Sequence, residues 1–336
     1  MSQKDFDENE ELRIEVASDE SDFSDTQSSF SDTTSLTSSV FNYVYENGRR
    51  YTSNRSQSGE YVLPNDEQEQ ERLDMFHHLF SLMLRGELLL GPFKEEWRGQ
   101  KKRILDLGTG TGIWAIDVGD HFPEWEVLGT DLSPIQPRWV PPNVRFEIDD
   151  YELDWIFPQK FDLIHTRSLM GAVRDWPALF RKMYDNLVPG GYIEIHEGCN
   201  VGAFSEDGSH KGTALVEYNE ALKQAGIKSG MRMDLYHELG NYIKDAGFVN
   251  FSEKKLKLPV GPWPKDPHFK EIGIAGQEVG NTALEAYGLA IMTRVLGWPL
   301  DKTQDLIQRA TKDFHNKRLH IIYPHSVFIA QKPLDA

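Results

Sequence analysis

The sequence predicts an α/β protein, a doubly wound sheet of parallel strands with helices on both faces, and three observations predict it. First, Ile104, Leu105 and Leu107 form a short apolar run suited to a strand buried on both faces, and it leads directly into Gly108-Thr-Gly-Thr-Gly112. Second, the run Glu126-Val-Leu-Gly-Thr-Asp131 places a carboxylate about 20 residues beyond the glycines, the separation at which the next parallel strand presents an acid to an adenosyl ribose. Third, Phe146–Asp150, Phe161–Arg167 and Leu187–Glu197 follow in order at strand-to-strand spacing.

Each element has a physical reason. Gly108, Gly110 and Gly112 let the backbone turn tightly under a ligand that a Cβ would exclude. Their spacing is G-x-G-x-G, with Ile113 where the dinucleotide fingerprint wants its third glycine, so a nicotinamide or flavin cofactor is disfavoured. A strand-to-helix turn with no ligand remains the plain alternative for the glycines alone. Leu73, Phe76, Phe80, Met83 and Leu84 recur at helical spacing within residues 67–90. A second helical set, Leu235, Leu239, Tyr242, Ile243 and Ala246, ends at Gly247, a C-cap before a strand near Val249 to Lys257. Helical patterns over Ala283 to Leu296 and Thr303 to Phe314 then precede a final strand over His320 to Ala330.

In their order, the glycine loop, Asp131, Asp149-Asp150, Phe161–Arg167 and the Pro189-Gly-Gly191 turn resemble the class I S-adenosylmethionine-dependent methyltransferases over residues 101–198. A narrower resemblance is to the fungal LaeA-like methyltransferases. It is carried by Tyr45-Glu-Asn-Gly-Arg-Arg-Tyr51, Tyr61-Val-Leu-Pro-Asn-Asp-Glu67, Glu69-Gln-Glu-Arg-Leu73, His320-Ile-Ile-Tyr323 and Ala330-Gln-Lys-Pro333, and spans residues 42–333. The resemblance implies a Rossmann-like, seven-stranded methyltransferase sheet with an N-terminal helical arm and a helical cap inserted before the last strand. It implies S-adenosyl-L-methionine as cofactor, with Asp131 on the ribose, Asp150 and Tyr151 at the adenine edge, and Asp106 with the Gly108–Gly112 backbone facing the methionine part. Thr109, Thr111, Leu132, Asp149 and Arg167 complete the implied cofactor set. Chemistry points the same way: this cofactor carries no phosphate but a sulfonium, an ammonium and ribose hydroxyls. It calls for carboxylates, and Asp106, Asp131, Asp149 and Asp150 fall at or near the carboxyl ends of strands.

Composition bounds the rest. Of 336 residues 39% are hydrophobic, enough for one substantial core with helical additions. Residues 1–40 carry eleven Asp and Glu against Lys4 and Arg13 amid Ser and Thr runs, and are expected to be disordered. The net charge is −17, and the part beyond the tail is acidic as well, which argues against direct nucleic-acid binding. Cys199 is the only cysteine, so an intrachain disulfide and a Cys-rich zinc site are excluded. No metal is expected, because His77 and His78 point to different helix faces and His315, His320 and His325 recur at intervals of five. With no signal peptide, lipidation motif or long uncharged apolar run, the expectation is a soluble protein of cytoplasm or nucleus, away from membranes.

The chain thus divides into a tail over 1–41, an arm with helices over 42–100, a cofactor-binding core over 101–258, a helical cap over 259–318 and a last core strand with the C-terminus over 319–336. Arg49, Tyr51 and Tyr61 on the arm and Glu197 are expected at the substrate side or in a lid. Methyl transfer is an in-line displacement, so alignment and exclusion of water supply much of the acceleration. A hydroxyl or ammonium acceptor must also lose a proton. His165 and His196, at the ends of the fourth and fifth strands, are the candidate carriers, with a structural histidine as the alternative reading. Two functions from different classes follow. One is methylation of a hydroxyl, carboxyl or amine of a small molecule in fungal secondary metabolism. The other is a LaeA-like regulator of secondary-metabolite gene expression working with a velvet-type protein partner.

Overall fold

A computed structural model of the chain describes residues 43–52 and 61–336; the expected tail over 1–41 lies outside the described residues. Its centre is one seven-stranded sheet of β3 (Lys102–Leu107), β4 (Trp125–Asp131), β5 (Val144–Ile148), β6 (Phe161–Arg167), β7 (Leu187–Gly198), β8 (Val249–Pro259) and β9 (Ile322–Gln331). The spatial order is β5-β4-β3-β6-β7-β9-β8, parallel from β5 through β7, with β9 antiparallel to both neighbours. The apolar run in β3 works on both faces as expected. Ile104 packs with Trp114, Val118 and Trp125, whereas Leu105 packs with Trp176, Phe180 and Met183 on the other side.

Between β3 and β6 the winding reverses, and this switch point opens a crevice at the carboxyl edge. On one face lie α3 (Ile113–His121) and the short α2 (Phe93–Glu96); on the other lie α4 (Trp176–Asn186) and α6 (Leu239–Asp245). The N-terminal hairpin, β1 (Tyr43–Glu46) with β2 (Arg49–Thr52), and α1 (Glu67–Met83) close in from the arm. Asp66 caps α1, its carboxylate accepting from Glu69 N at 3.0 Å. Arg49 grips the same carboxylate with Nε and Nη2 at 2.7 and 2.9 Å and fixes the hairpin to the helix start.

The segment between β8 and β9 is helical, as expected, but its first helix begins sixteen residues earlier than Ala283. It is α7 (Pro267–Ala290), continued by a π-turn over Ile291–Val295, then α8 (Leu300–Phe314). Asp266 caps α7 and Pro267 opens it, a start signal overridden in the sequence by Gly273, Gly276 and Gly280, which weaken a helical pattern. Close packing requires those glycines: a Cβ on Gly273 would stand 2.1 Å from the Gly261 carbonyl oxygen, and one on Gly280 2.6 Å from Phe314. Together with α1 and α5 (Ala214–Ser229), α7 and α8 roof the carboxyl edge. No described helix is long and apolar enough to cross a membrane.

Candidate active site

The crevice is built from the glycine loop upward. Gly108, Gly110 and Gly112 all have positive φ, and a Cβ on Gly112 would meet the Phe146 ring at 2.3 Å as α3 begins. Asp131, at the end of β4, locks the loop: its carboxylate accepts from Gly110 N at 2.8 Å and Ser133 N at 2.9 Å. Burial pushes its pKa up to about 6 against the pull of these backbone donors. Gln136 Nε2 donates to the Gly110 carbonyl at 2.6 Å, and Thr111 Oγ1 to Asp74 on α1 at 2.7 Å, so loop and roof are tied. The loop and the roof together enclose a cavity that is partly open to solvent. Tyr61, Gly108, Gly110, Asp131, Leu132, Tyr151 and Arg167 from the expected set line it. Arg167 is a cation whose guanidinium donates to His77 Nδ1 at 3.2 Å rather than to a carboxylate.

Other expected residues stand around the cavity instead of on its wall. Asp106 is buried, accepting from Thr109 Oγ1 at 2.6 Å and paired with His165 Nδ1 at 2.7 Å. Asp149 and Asp150 cap the turn after β5 by accepting from Asp150 N and Glu152 N. Arg49 and Tyr51 anchor the hairpin, Arg49 at Asp66 and Tyr51 beneath Arg294 at 4.3 Å, while Tyr61 alone of the arm residues expected at the lid reaches the cavity. Glu197 is buried under the crevice floor and holds the turn after β6, accepting from Leu169 N at 2.6 Å and Met170 N at 3.2 Å. Burial raises its pKa to about 8. The turn it holds includes Ser168, a non-glycine residue at φ 59°.

His165 and His196, the candidate proton carriers, stand on the wall of neither cavity. Both are essentially unexposed on the sheet face covered by α1 and α3, His165 stacked on Trp114 at 3.6 Å and His196 paired with Glu194 at 2.7 Å. Strand alternation explains it: Asp106, His165 and Glu194 are register partners, and Glu194 is used to anchor Leu90 N and Gly91 N. Burial pushes the His165 pKa down.

A second cavity adjoins the crevice and shares Arg72, Phe76, Ser168 and Tyr287 with it. Leu222, Leu258, Val260, Val279, Leu284 and Phe314 give it an apolar wall. Arg72, at 3% exposure, is gripped by Glu69 through Nε at 2.8 Å and Nη2 at 2.6 Å. Sequence reasoning missed Glu69, Arg72, Tyr287, Asn200 and His325, although Arg72 stands one turn before Phe76 on the apolar stripe of α1, a legible signal. His325 and Tyr287 carried none, because their position depends on how α7 and β9 meet. Among the described residues no group of three or more His, Cys, Asp or Glu side chains is placed to hold a metal ion.

A mixed seven-stranded sheet, a glycine loop at the switch point and an acid closing that loop define a class I methyltransferase fold using S-adenosylmethionine. Residues 75–253 match the family described as Methyltransferase domain, and the chain belongs to that family. It is 42% identical to "Methyltransferase pytC" of Aspergillus terreus (strain NIH 2624 / FGSC A1156), over 96% of each chain. It is also 36% identical to "Secondary metabolism regulator LAE1" of Cochliobolus heterostrophus, covering 87% of this chain and 95% of that one. The identity is 37% to "Protein-methionine methyltransferase laeA" of Emericella nidulans, over 86% of this chain and 76% of that one.

Proposed function

We propose that this methyltransferase acts on a small, largely apolar acceptor of fungal secondary metabolism, held in the second cavity while the cofactor occupies the glycine-loop crevice. The observation that carries the reading is the shared wall: a cavity with apolar sides adjoins the crevice at Arg72, Phe76, Ser168 and Tyr287. The residues fit the cofactor. Asp131 offers a carboxylate for ribose hydroxyls, Leu132 and Tyr151 an apolar and aromatic bed for adenine, and Arg167 a cation for the methionine carboxylate. A Cβ on Gly108 would stand 2.5 Å from Leu169, so the loop is held at its closest approach by packing behind it. When bound, S-adenosylmethionine supplies a methyl group activated by its sulfonium. The protein contributes alignment and a roof of α1 and α7 that keeps water from the junction.

The similarity to "Methyltransferase pytC" over nearly the full chain supports this reading. A second reading, a regulator that methylates a protein or works with a velvet-type partner, is supported by the relatives named as secondary metabolism regulators and as a protein-methionine methyltransferase. Its expected contact, the acidic tail, lies outside the described residues. One experiment separates the two. Metabolite extracts from strains with and without the gene are incubated with purified protein and cofactor and compared by mass. A discrete compound heavier by one methylene supports the small-molecule enzyme. Loss of many unrelated metabolites in the deletion strain, with no methylated product in vitro, supports the regulator and refutes the first reading.

A further inference from the structure

The second cavity is apolar along most of its wall and polar at the end that meets the crevice. Arg72 is the one side chain with a fixed charge among the described residues that line it. Its partner Glu69 lines the crevice and not this cavity, whereas Arg72 itself lines both, so the guanidinium stands at the wall the two share. Glu69 occupies Nε and one Nη2 hydrogen and the Tyr287 hydroxyl is a further hydrogen-bond partner, so part of the five-donor fork remains for the junction, where the ring centroids of Tyr287 and Phe76 lie 5.5 Å and 5.9 Å from the Arg72 carbon. An acceptor held in this cavity lies against a wall that includes Arg72.

The same wall is poor in groups able to take a proton. His325 is its only histidine; the ring sits over Gly198 with Nδ1 at 3.4 Å from the Tyr323 carbonyl, and burial pushes its pKa down to about 4. Burial likewise pushes the hydroxyls of Tyr218, Tyr287 and Tyr323 upward, and that of Tyr218 donates to the Leu284 carbonyl at 2.8 Å. An ammonium acceptor would enter against Arg72, and the carboxylate beside it, Glu69, already accepts from Arg72 through both oxygens. An aliphatic alcohol would find no free base either. An acid needs none, because it arrives already ionised.

We propose, resting on the cavity assignment above, that the acceptor is an apolar molecule bearing an acidic oxygen, a carboxylic acid or comparably acidic enol, bound as its anion against Arg72 and methylated on that oxygen. The step balances without a protein base. An oxygen lone pair forms the new O–C bond as the C–S bond of the donor breaks, and the released electron pair stays on sulfur. The negative and sulfonium charges cancel and no proton moves. The product is an ester or enol ether, neutral beside Arg72 and therefore released more readily than its precursor is bound.

Matched probes test this on the full chain saturated with S-adenosylhomocysteine: naphthoic acid, naphthamide, naphthylmethanol and naphthylmethylamine, titrated by calorimetry at about pH 7.5. The acid is expected to bind about tenfold or more tightly than each of the others, since only it gains a charge-assisted contact. The combined change Glu69→Gln and Arg72→Gln should remove that preference while neutral probes still bind, and Arg72→Lys should keep part of it. If the double variant fails to melt cooperatively, the ranking of the four probes on the unaltered chain decides. Equal or tighter binding of the amine or alcohol overturns the proposal and leaves the cavity assignment standing. Binding of S-adenosylhomocysteine with no probe bound at all overturns both.

Discussion

Asp131→Ala probes the cofactor crevice at its most constrained point. In the proposed complex its carboxylate receives two ribose hydroxyls, each charge-assisted contact worth about 1 to 1.5 kcal/mol. Their loss should weaken S-adenosylhomocysteine binding by about 2 to 3 kcal/mol, or roughly 30- to 150-fold. The same oxygens already accept from Gly110 N and Ser133 N, so alanine also loosens the loop. Asp131→Asn keeps one acceptor and the side-chain shape, and should lose less. The pH dependence is a second signature. Burial raises the Asp131 pKa to about 6, and accepting from two hydroxyls favours the ionised form. Binding should therefore weaken as pH falls through about 6, because a proton must leave before the carboxylate can accept both contacts. In Asp131→Asn that slope should vanish. Calorimetry across pH 5 to 8 on both proteins measures it, with melting temperature as a check on folding. An alanine variant that binds within twofold of the parent, or an unchanged slope in the asparagine variant, would refute the ribose role.

Three further outcomes follow from the packing. Gly112→Ala places a Cβ 2.3 Å from the Phe146 ring at φ 81°, and should cost about 1 to 3 kcal/mol or more in denaturant unfolding, with cofactor affinity falling too. Glu197 has a folded pKa raised to about 8 by burial, so its contribution is complete below the unfolded value near 4.3 and is lost as pH rises through about 8. Glu197→Gln should flatten the fall in melting temperature between about pH 4.3 and 8, and a profile that stays parallel to the parent would count against a neutral Glu197. Hydrogen exchange should show residues 43–52 and 61–66 and helix α7 gaining protection when S-adenosylhomocysteine binds, and unchanged exchange in the arm would remove its role as a lid.

How far the sequence carries depends on the range of the interaction that decides each feature. The inner strands β3, β4, β6 and β7 were legible because burial on both faces imposes apolar runs, and Ile104 and Leu105 do pack into different clusters, whereas the half-exposed edge strand β5 followed from spacing. The glycine loop was legible because positive φ and close contact admit little besides glycine. Asp131 followed from spacing. By contrast α7 was half hidden, since Gly273, Gly276 and Gly280 are set by contacts with Gly261, β8 and α8, which no local pattern encodes.

The histidines show why strand position alone misplaces chemistry. His165 and His196 do sit near the carboxyl ends of β6 and β7, but a strand end has two faces, and Asp106 and Glu194 already claim the face to which they point. Alternation would have put residues 165, 167, 194 and 196 on one side of the sheet and Glu197 on the other. What it could not supply is the cover: the carbonyl edge on that side is closed by His77 and Phe80 of α1, and His77 bonds to Arg167 and to Asp117 at 2.9 Å. The roof that buries these histidines is the one that brings Arg72 to the junction. A helix read in the sequence only as a one-sided apolar face therefore buries the expected proton carriers away from both cavity walls and places an unexpected cation where the two cavities meet.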